Sequence, residues 1–222
     1  LELLISNHYG DCIGPCMKAC PGHTDCQGYV GLVANGEFAK ANELIKDKIP
    51  LPASIGRVCP HPCEDACRRG LVDEPISIAM IKRFAGDMDI AADERFIPDM
   101  DEDTGKSVAI IGGGPMGLSA AYFLRQRGHD VTIFDSMPKL GGMLRYGIPE
   151  YRLPKEVLDA EIAIMEAMGI QIVPNTKVGV DIPLDTIRND FDAVVLGIGA
   201  WLSTGVGCQG EDAEGVIGGI DF

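Results

Sequence analysis

The residues best placed to do chemistry are cysteines. Seven of the eight fall between Cys12 and Cys67, in two groups: Cys12, Cys16, Cys20 and Cys26, then Cys59, Cys63 and Cys67. Thiolates gathered this densely are soft anionic ligands, suited to iron–sulfur clusters or to zinc. Zinc favours C-x2-C knuckles with four ligands each. Seven cysteines, mostly separated by three residues, favour iron–sulfur clusters instead. Disulfides would need an oxidising compartment, and no secretory signal is visible, so the cysteines read as metal ligands in a reducing cytoplasm. Cys208 lies far off in a glycine-rich stretch and reads as incidental.

A second chemical signal follows the cysteines. Val108-Ala109-Ile110-Ile111-Gly112-Gly113-Gly114-Pro115-Met116-Gly117 reads as a strand, a G-x-G-x-x-G turn and the start of a helix. Gly112 suits the tight turn, Gly114 the approach of a pyrophosphate, and Gly117 close helix–strand packing. Pro115 stands at the first helical position, and the helix N-terminus offers free N–H groups and a positive dipole end to phosphates. Asp135 ends the next strand, 23 residues after Gly112, where a carboxylate accepts hydrogen bonds from a ribose. The fingerprint alone does not separate FAD from NAD(P).

The elements that must carry these residues fall into three stretches. Residues 1–86 read as a helical, cysteine-rich domain. Leu32, Val33, Phe38, Ala41, Leu44 and Ile45 have helical spacing broken at Asn35-Gly36, and a further helix over 75–86 opens at Pro75. Residues 87–104 are crowded with aspartate and glutamate and read as a solvated connector. From 105 to 222 the pattern is α/β. Strands are expected at Val108–Ile111, Val131–Phe134 and Ile170–Val173, with Ala193–Gly197 as a strand buried on both faces. Between them come helices over Leu118–Arg127, from Pro154 to Gly169 and near Leu184–Asn189. The 222 residues, 46% hydrophobic, suffice for a real core without cysteine staples. A net charge of -14 argues against nucleic-acid or membrane-surface binding, and no apolar run is long enough to span a membrane. The first residue is not methionine and no closing element is apparent, so the chain reads as a fragment of a longer polypeptide.

One run is far more specific. Leu140-Gly141-Gly142-Met143-Leu144-Arg145-Tyr146-Gly147-Ile148-Pro149-Glu150-Tyr151-Arg152-Leu153-Pro154-Lys155 closely resembles a signature of the glutamate synthase small-subunit family. That family includes the electron-entry part of dihydropyrimidine dehydrogenase. Phe191–Ala200 looks like its second, shorter flavin-proximal motif. The resemblance implies a helical Fe–S domain followed by an incomplete α/β Rossmann-like FAD-binding domain. It makes Gly112, Gly114, Pro115, Gly117 and Asp135 FAD-binding by position, although Asp135 replaces the commoner Glu. It puts Gly141, Gly142 and Arg145 near the pyrophosphate and flavin, Val178 at the adenine, and Gly199 in the second motif. The family's NAD(P)H domain carries its own glycine fingerprint, and no second fingerprint is present here.

The resemblance also implies two [4Fe–4S] clusters held by interleaved cysteines. Cys16-x3-Cys20-Pro21 matches the end of a bacterial ferredoxin run, where the last cysteine serves the other cluster. By the family pattern Cys12, Cys16 and Cys67 share one cluster, and Cys20, Cys59 and Cys63 the other. The first cluster lacks one family cysteine, and His8 stands where it would be. The second often takes Glu or Gln from the helix that here carries Lys82, and Cys26 is expected to fill that place. His23 and His61 are candidates to hydrogen-bond a cluster sulfur. The expected function is the electron-transfer portion of an NAD(P)H-dependent FAD/iron–sulfur oxidoreductase serving a partner subunit or domain, with no catalytic side chain. The alternative is a non-enzymatic docking module bearing clusters or zinc.

Overall fold

The computed structural model describes residues 13–221. Cys12 and His8 lie outside the described residues. Among the described residues the first part holds helices α1 (Pro15–Ala19), α2 (Cys26–Ala34), α3 (Phe38–Lys46), α4 (Pro52–Val58), α5 (Pro62–Asp65) and α6 (Ile78–Ile90). A 3₁₀ turn, Arg68–Leu71, stands between α5 and α6. Their cysteine-rich core joins Cys16, Cys26 and Cys63 to Tyr29, Ala41, Ile45, Ile78 and Ala85. The apolar residues at helical spacing in α3 supply its share of that core.

Helix α6 starts three residues later than Pro75 suggests. Ser77 occupies the cap position, and the carboxylate that receives an early helix amide is Glu64, which accepts the Ala79 N–H at 2.8 Å. Helix α6 also runs on to Ile90, into the acidic stretch. Asp89 is buried there, bonded to Lys46 at 3.2 Å and to Arg95 at 3.3 Å, and Asp87 receives Arg57. The stretch is therefore not simply solvated. Further on, Asp101 N–H reaches Gln126 O at 2.8 Å and Thr104 N–H reaches Gly128 O at 3.0 Å, which lays the segment along the next domain.

That second part holds β1 (Ser107–Ile111), α7 (Pro115–Gln126), β2 (Asp130–Phe134), α8 (Met143–Tyr146), α9 (Lys155–Ala167), β3 (Gln171–Val173), α10 (Leu184–Asp190) and β4 (Ala193–Leu196). The sheet is parallel throughout, in the order β3-β2-β1-β4. β1 and β2 are buried on both faces, Ile110 and Ile133 against Leu118 and Tyr122 of α7 and Ala109 and Phe134 against Ile187 of α10, which suits their Val/Ile-rich runs. β4 differs from expectation. It is an edge strand of the described sheet, and Leu196 is 59% exposed. Met165 and Met168 are core residues, as their helical spacing suggests.

The two parts share a core. Leu51 lies among Leu118, Tyr122, Leu153, Leu158 and Ile162, with Ile55 and Val58 packed against them. Helix α4, although it belongs by sequence to the cysteine-rich stretch, thus packs on the α/β core as well as on α6.

Candidate functional site

The parallel strands end together, and the cleft beyond their C-terminal edges is where doubly wound folds bind ligands. Here it is a cavity of about 810 Å³, lined by Gly112, Gly114 and Pro115 from the first turn, Asp135 after β2, Gly142, Val178 and Gly199. Gly112 has φ +104, and a Cβ at Gly117 would stand 1.9 Å from Gly112 O, so the turn and helix α7 tolerate no side chain at either place. Pro115 opens α7 and no side chain caps it, so its first amides face the cleft.

Asp135 is buried at the cleft wall. Its Oδ2 accepts the Gly113 N–H at 2.6 Å and its Oδ1 the Met137 N–H at 2.8 Å. One donor per oxygen leaves lone pairs for a ribose diol. Asp135 therefore also fixes the glycine turn, a task the spacing argument did not anticipate. Gly141 N–H donates to Gly113 O at 2.8 Å, and a Cβ at Gly142 would approach Gly114 Cα at 2.8 Å. The second glycine run lies directly on the first.

Arg145 does not line this cleft. Its guanidinium is spent on Leu140 O, at 2.5 Å, and on the Asp159 carboxylate. Partial burial works to raise the Asp159 pKa, but hydrogen bonds from Arg145 and Lys139 outweigh it and hold the carboxyl below its ordinary range. Lys155 Nζ donates to Leu144 O at 3.0 Å and Ile148 O at 2.6 Å. Arg145 and Lys155, two of the three basic residues of the signature run, thus tie the run to its own carbonyls, and Arg145 also ties it to Asp159. Gly117 and Gly141 likewise act through packing. Trp201, which sequence reading passed over, lines the cleft and sits beside Tyr146 with ring centroids 5.9 Å apart.

The described cysteines from Cys16 to Cys67 are all free and sit at helix ends. Cys16 lies in α1 and Cys20 caps its end. Cys26 opens α2, Cys59 caps α4, Cys63 lies in α5 and Cys67 follows it. They form two gatherings. Cys16, Cys26 and Cys67 line a cavity of about 210 Å³ beside Arg68 and Arg69. Cys63 has Cys20, Cys59, Glu64 and buried Lys82 as its ionisable neighbours. Cys26 is thus on the cavity with Cys16 and Cys67, not solely beside Lys82 as expected, though its thiol also lies near Cys63 and Cys20.

Their protonation differs by surroundings. Burial pushes the Cys26 thiol up to about 12, against a hydrogen bond with Tyr29. Burial also raises Cys63, opposed by the Lys82 ammonium. Burial works to raise Cys20, but contacts with Thr24, the Gly22 backbone and Lys82 bring it below the ordinary thiol value. Backbone groups of Ile76, Arg69 and Gly70 lower Cys67. His61 serves the sulfurs through its backbone, not its ring: its N–H points at Cys59 Sγ at 3.3 Å, while Nδ1 lies 3.4 Å from Glu64. Among the described residues no three His, Cys, Asp or Glu groups converge on a single ion. A soft, all-thiolate donor set is the kind that iron–sulfur clusters take. The donor set and its two-part gathering fit clusters.

The fold and these sites define a helical cysteine-rich domain joined to a Rossmann-like dinucleotide-binding domain. Residues 10–94 match the family described as dihydropyrimidine dehydrogenase domain II, 4Fe-4S cluster, and residues 110–171 the one described as NAD(P)-binding Rossmann-like domain. The chain is 42% identical to the NADP(+)-dependent formate dehydrogenase subunit beta of Moorella thermoacetica, over 94% of this chain and 33% of that one. It is 41% identical to the NADPH-Fe(3+) oxidoreductase subunit beta of Geobacter sulfurreducens, over 94% and 32%. It is 38% identical to the glutamate synthase [NADPH] small chain of Escherichia coli, over 93% and 44%. The chain is similar to a part of each of these oxidoreductase subunits, and it spans from about a third to under half of their length. Among the described residues no helix is long and apolar enough to cross a membrane.

Proposed function

We propose that this chain is the electron-transfer portion of an NAD(P)H-dependent FAD/iron–sulfur oxidoreductase, exchanging electrons between the cleft and two [4Fe–4S] clusters and passing them to a partner subunit or domain. The observation that carries the proposal is helix α4. Its flank packs into the core beneath the nucleotide cleft, and its end is Cys59. One rigid element thus belongs to both sites.

In this reading Cys20, Cys59 and Cys63 hold one cluster, and Cys16 and Cys67 the other, with Cys12 and either Cys26 or His8. Cys26 is favoured over its earlier place beside Lys82 because it lines the cavity with Cys16 and Cys67. The amides opening α7 take the pyrophosphate, Asp135 takes the ribose, and Gly142 and Val178 close the cleft around the nucleotide. FAD, when bound, converts a two-electron donor into single-electron steps, chemistry that belongs to the cofactor. The residues' work is to bind, orient and exclude water, and no side-chain acid or base is required. The free thiols suit a reducing cytoplasm.

A second reading has its own support, since the 110–171 match carries an NAD(P)-binding description. Both cofactors share the ADP half that a G-x-G-x-x-G turn recognises. The glycine pair Gly141-Gly142 laid on that turn favours FAD, through its resemblance to the flavin family. Anaerobic purification decides. We expect about eight irons per chain, a broad cluster absorbance, and flavin released on denaturation with its own absorbance band. A chain that takes up zinc instead of iron, or that releases a pyridine nucleotide and no flavin, refutes the corresponding half of the proposal.

A further inference from the structure

We propose that Glu161 is a positioning residue for the second cysteine group: from the α/β part it caps helix α4, and so fixes where Cys59, at the helix's other end, stands relative to the cleft. This rests on the reading of Cys59 as a cluster ligand. Glu161 is 3% exposed. One carboxyl oxygen accepts the Ala53 N–H at 2.7 Å and the other the Ser54 N–H at 2.9 Å. These are the second and third residues of α4, whose first residue, Pro52, has no N–H. The orphan amides of a helix start are usually met by a Ser, Thr, Asp or Asn at the cap. Here the cap position holds Leu51, which has no acceptor to offer. The acceptor comes instead from a residue more than a hundred positions later, in another layer of the fold.

Packing alone would not set the register of α4. Leu51, Ile55 and Val58 bury apolar surface, and that force is non-directional. Two backbone donors on one carboxyl group are directional. The neighbours restrict α4 further. A Cβ at Gly86 of α6 would stand 2.5 Å from Ala53 N, so α4 already lies at backbone contact there. Arg95 donates to Ala160 O at 2.6 Å, one residue before Glu161, and pairs with Asp89, which also holds Lys46. From the capped end, the seven residues of α4 extend roughly 10 Å at about 1.5 Å each. The Cys59 N–H then closes on Ile55 O at 2.9 Å. A shift at the Glu161 end is carried to Cys59.

The test uses the full chain with its clusters and flavin, as wild type, Glu161→Ala and Glu161→Gln. Hydrogen exchange in peptides covering 51–59 should rise at least tenfold in the alanine variant, while β1 and β2 stay protected. The reduction potential of the cluster served by Cys59, identified by the EPR signal that Cys59→Ala removes, should move while the other cluster's holds. Glutamine keeps the shape and one acceptor and should fall between, and it carries the test if the alanine variant does not fold. A merely structural role would leave the two potentials unmoved or shift them together, and either result overturns the proposal. So does unchanged exchange at 51–59. A wild-type chain that takes up no iron refutes the cluster reading instead, and the exchange of 51–59 still judges the cap.

Discussion

Two carboxylates in this molecule use one device in different settings. Asp135 and Glu161 each receive two backbone N–H groups, Asp135 at the cleft wall and Glu161 deep in the seam between domains. For Glu161 burial is the largest influence and raises its pKa to about 7, against the opposing hydrogen bonds from Ser54 and Ala53 and the charge of Lys46. The other charges at the seam, Asp89 and Arg95, pair with each other. The folded chain therefore keeps a proton that the unfolded chain has already released between pH 4.5 and about 7. Stability from this group is full below the lower value and is lost as pH rises through the upper one, a loss of about 3 kcal/mol. Urea unfolding of wild type and Glu161→Gln at intervals from pH 5.5 to 8 should show the wild type losing stability relative to the variant as pH rises. Parallel pH profiles would refute the assignment.

At the level of elements, glycine separates open surface from close contact. A Cβ at Gly31, inside α2, meets nothing within 4 Å, whereas one at Gly86 meets the Ala53 backbone at 2.5 Å. Both are helical, so propensity alone favours alanine at each by about 1 kcal/mol. Gly31→Ala should raise stability by about that amount. Gly86→Ala should lower it by about 2 kcal/mol or more, because α4 and α6 must separate. Thermal unfolding of the pair reads the difference directly, and stabilisation by Gly86→Ala would contradict the packing described. The same contrast explains what could be read in advance. The strands β1 and β2, helices α7 and α9 and the glycine turn were legible because period and punctuation are local. Glu161 was not, because α9 shows it as one polar residue among Val157, Leu158 and Ile162, and its partners lie in α4. Arg145 shows the converse: its signature run points at the cofactor, but its guanidinium is held by Leu140 O and by Asp159, which lies beyond the run. The start of α6 was missed because Glu64, not Pro75, meets its early amide. The edge position of β4 follows from strand order, which no single stretch of sequence encodes.

At the scale of the whole molecule, the two larger cores among the described residues differ in content. The core beneath the cleft contains no cysteine, whereas Cys16, Cys26 and Cys63 are themselves members of the other core. Thiolates in a small helical core repel one another once ionised, and bound clusters remove that repulsion while tying distant turns together. Cluster removal should therefore loosen the two parts unequally. Helices α1 and α5, short and held around the cysteines, lose their ties. Helix α4 keeps Ile55 and Val58 on the other core and keeps its cap from Glu161. We expect chelation of the purified protein to raise hydrogen exchange strongly across residues 13–34 and 61–71, and little in β1, β2, α9 or α4. The boundary of protection should thus fall between α4 and Cys59, not at the acidic stretch that separates the two domains in sequence. Uniform loss of protection across the chain would mean that the clusters hold up the entire fold, and would count against two separable cores.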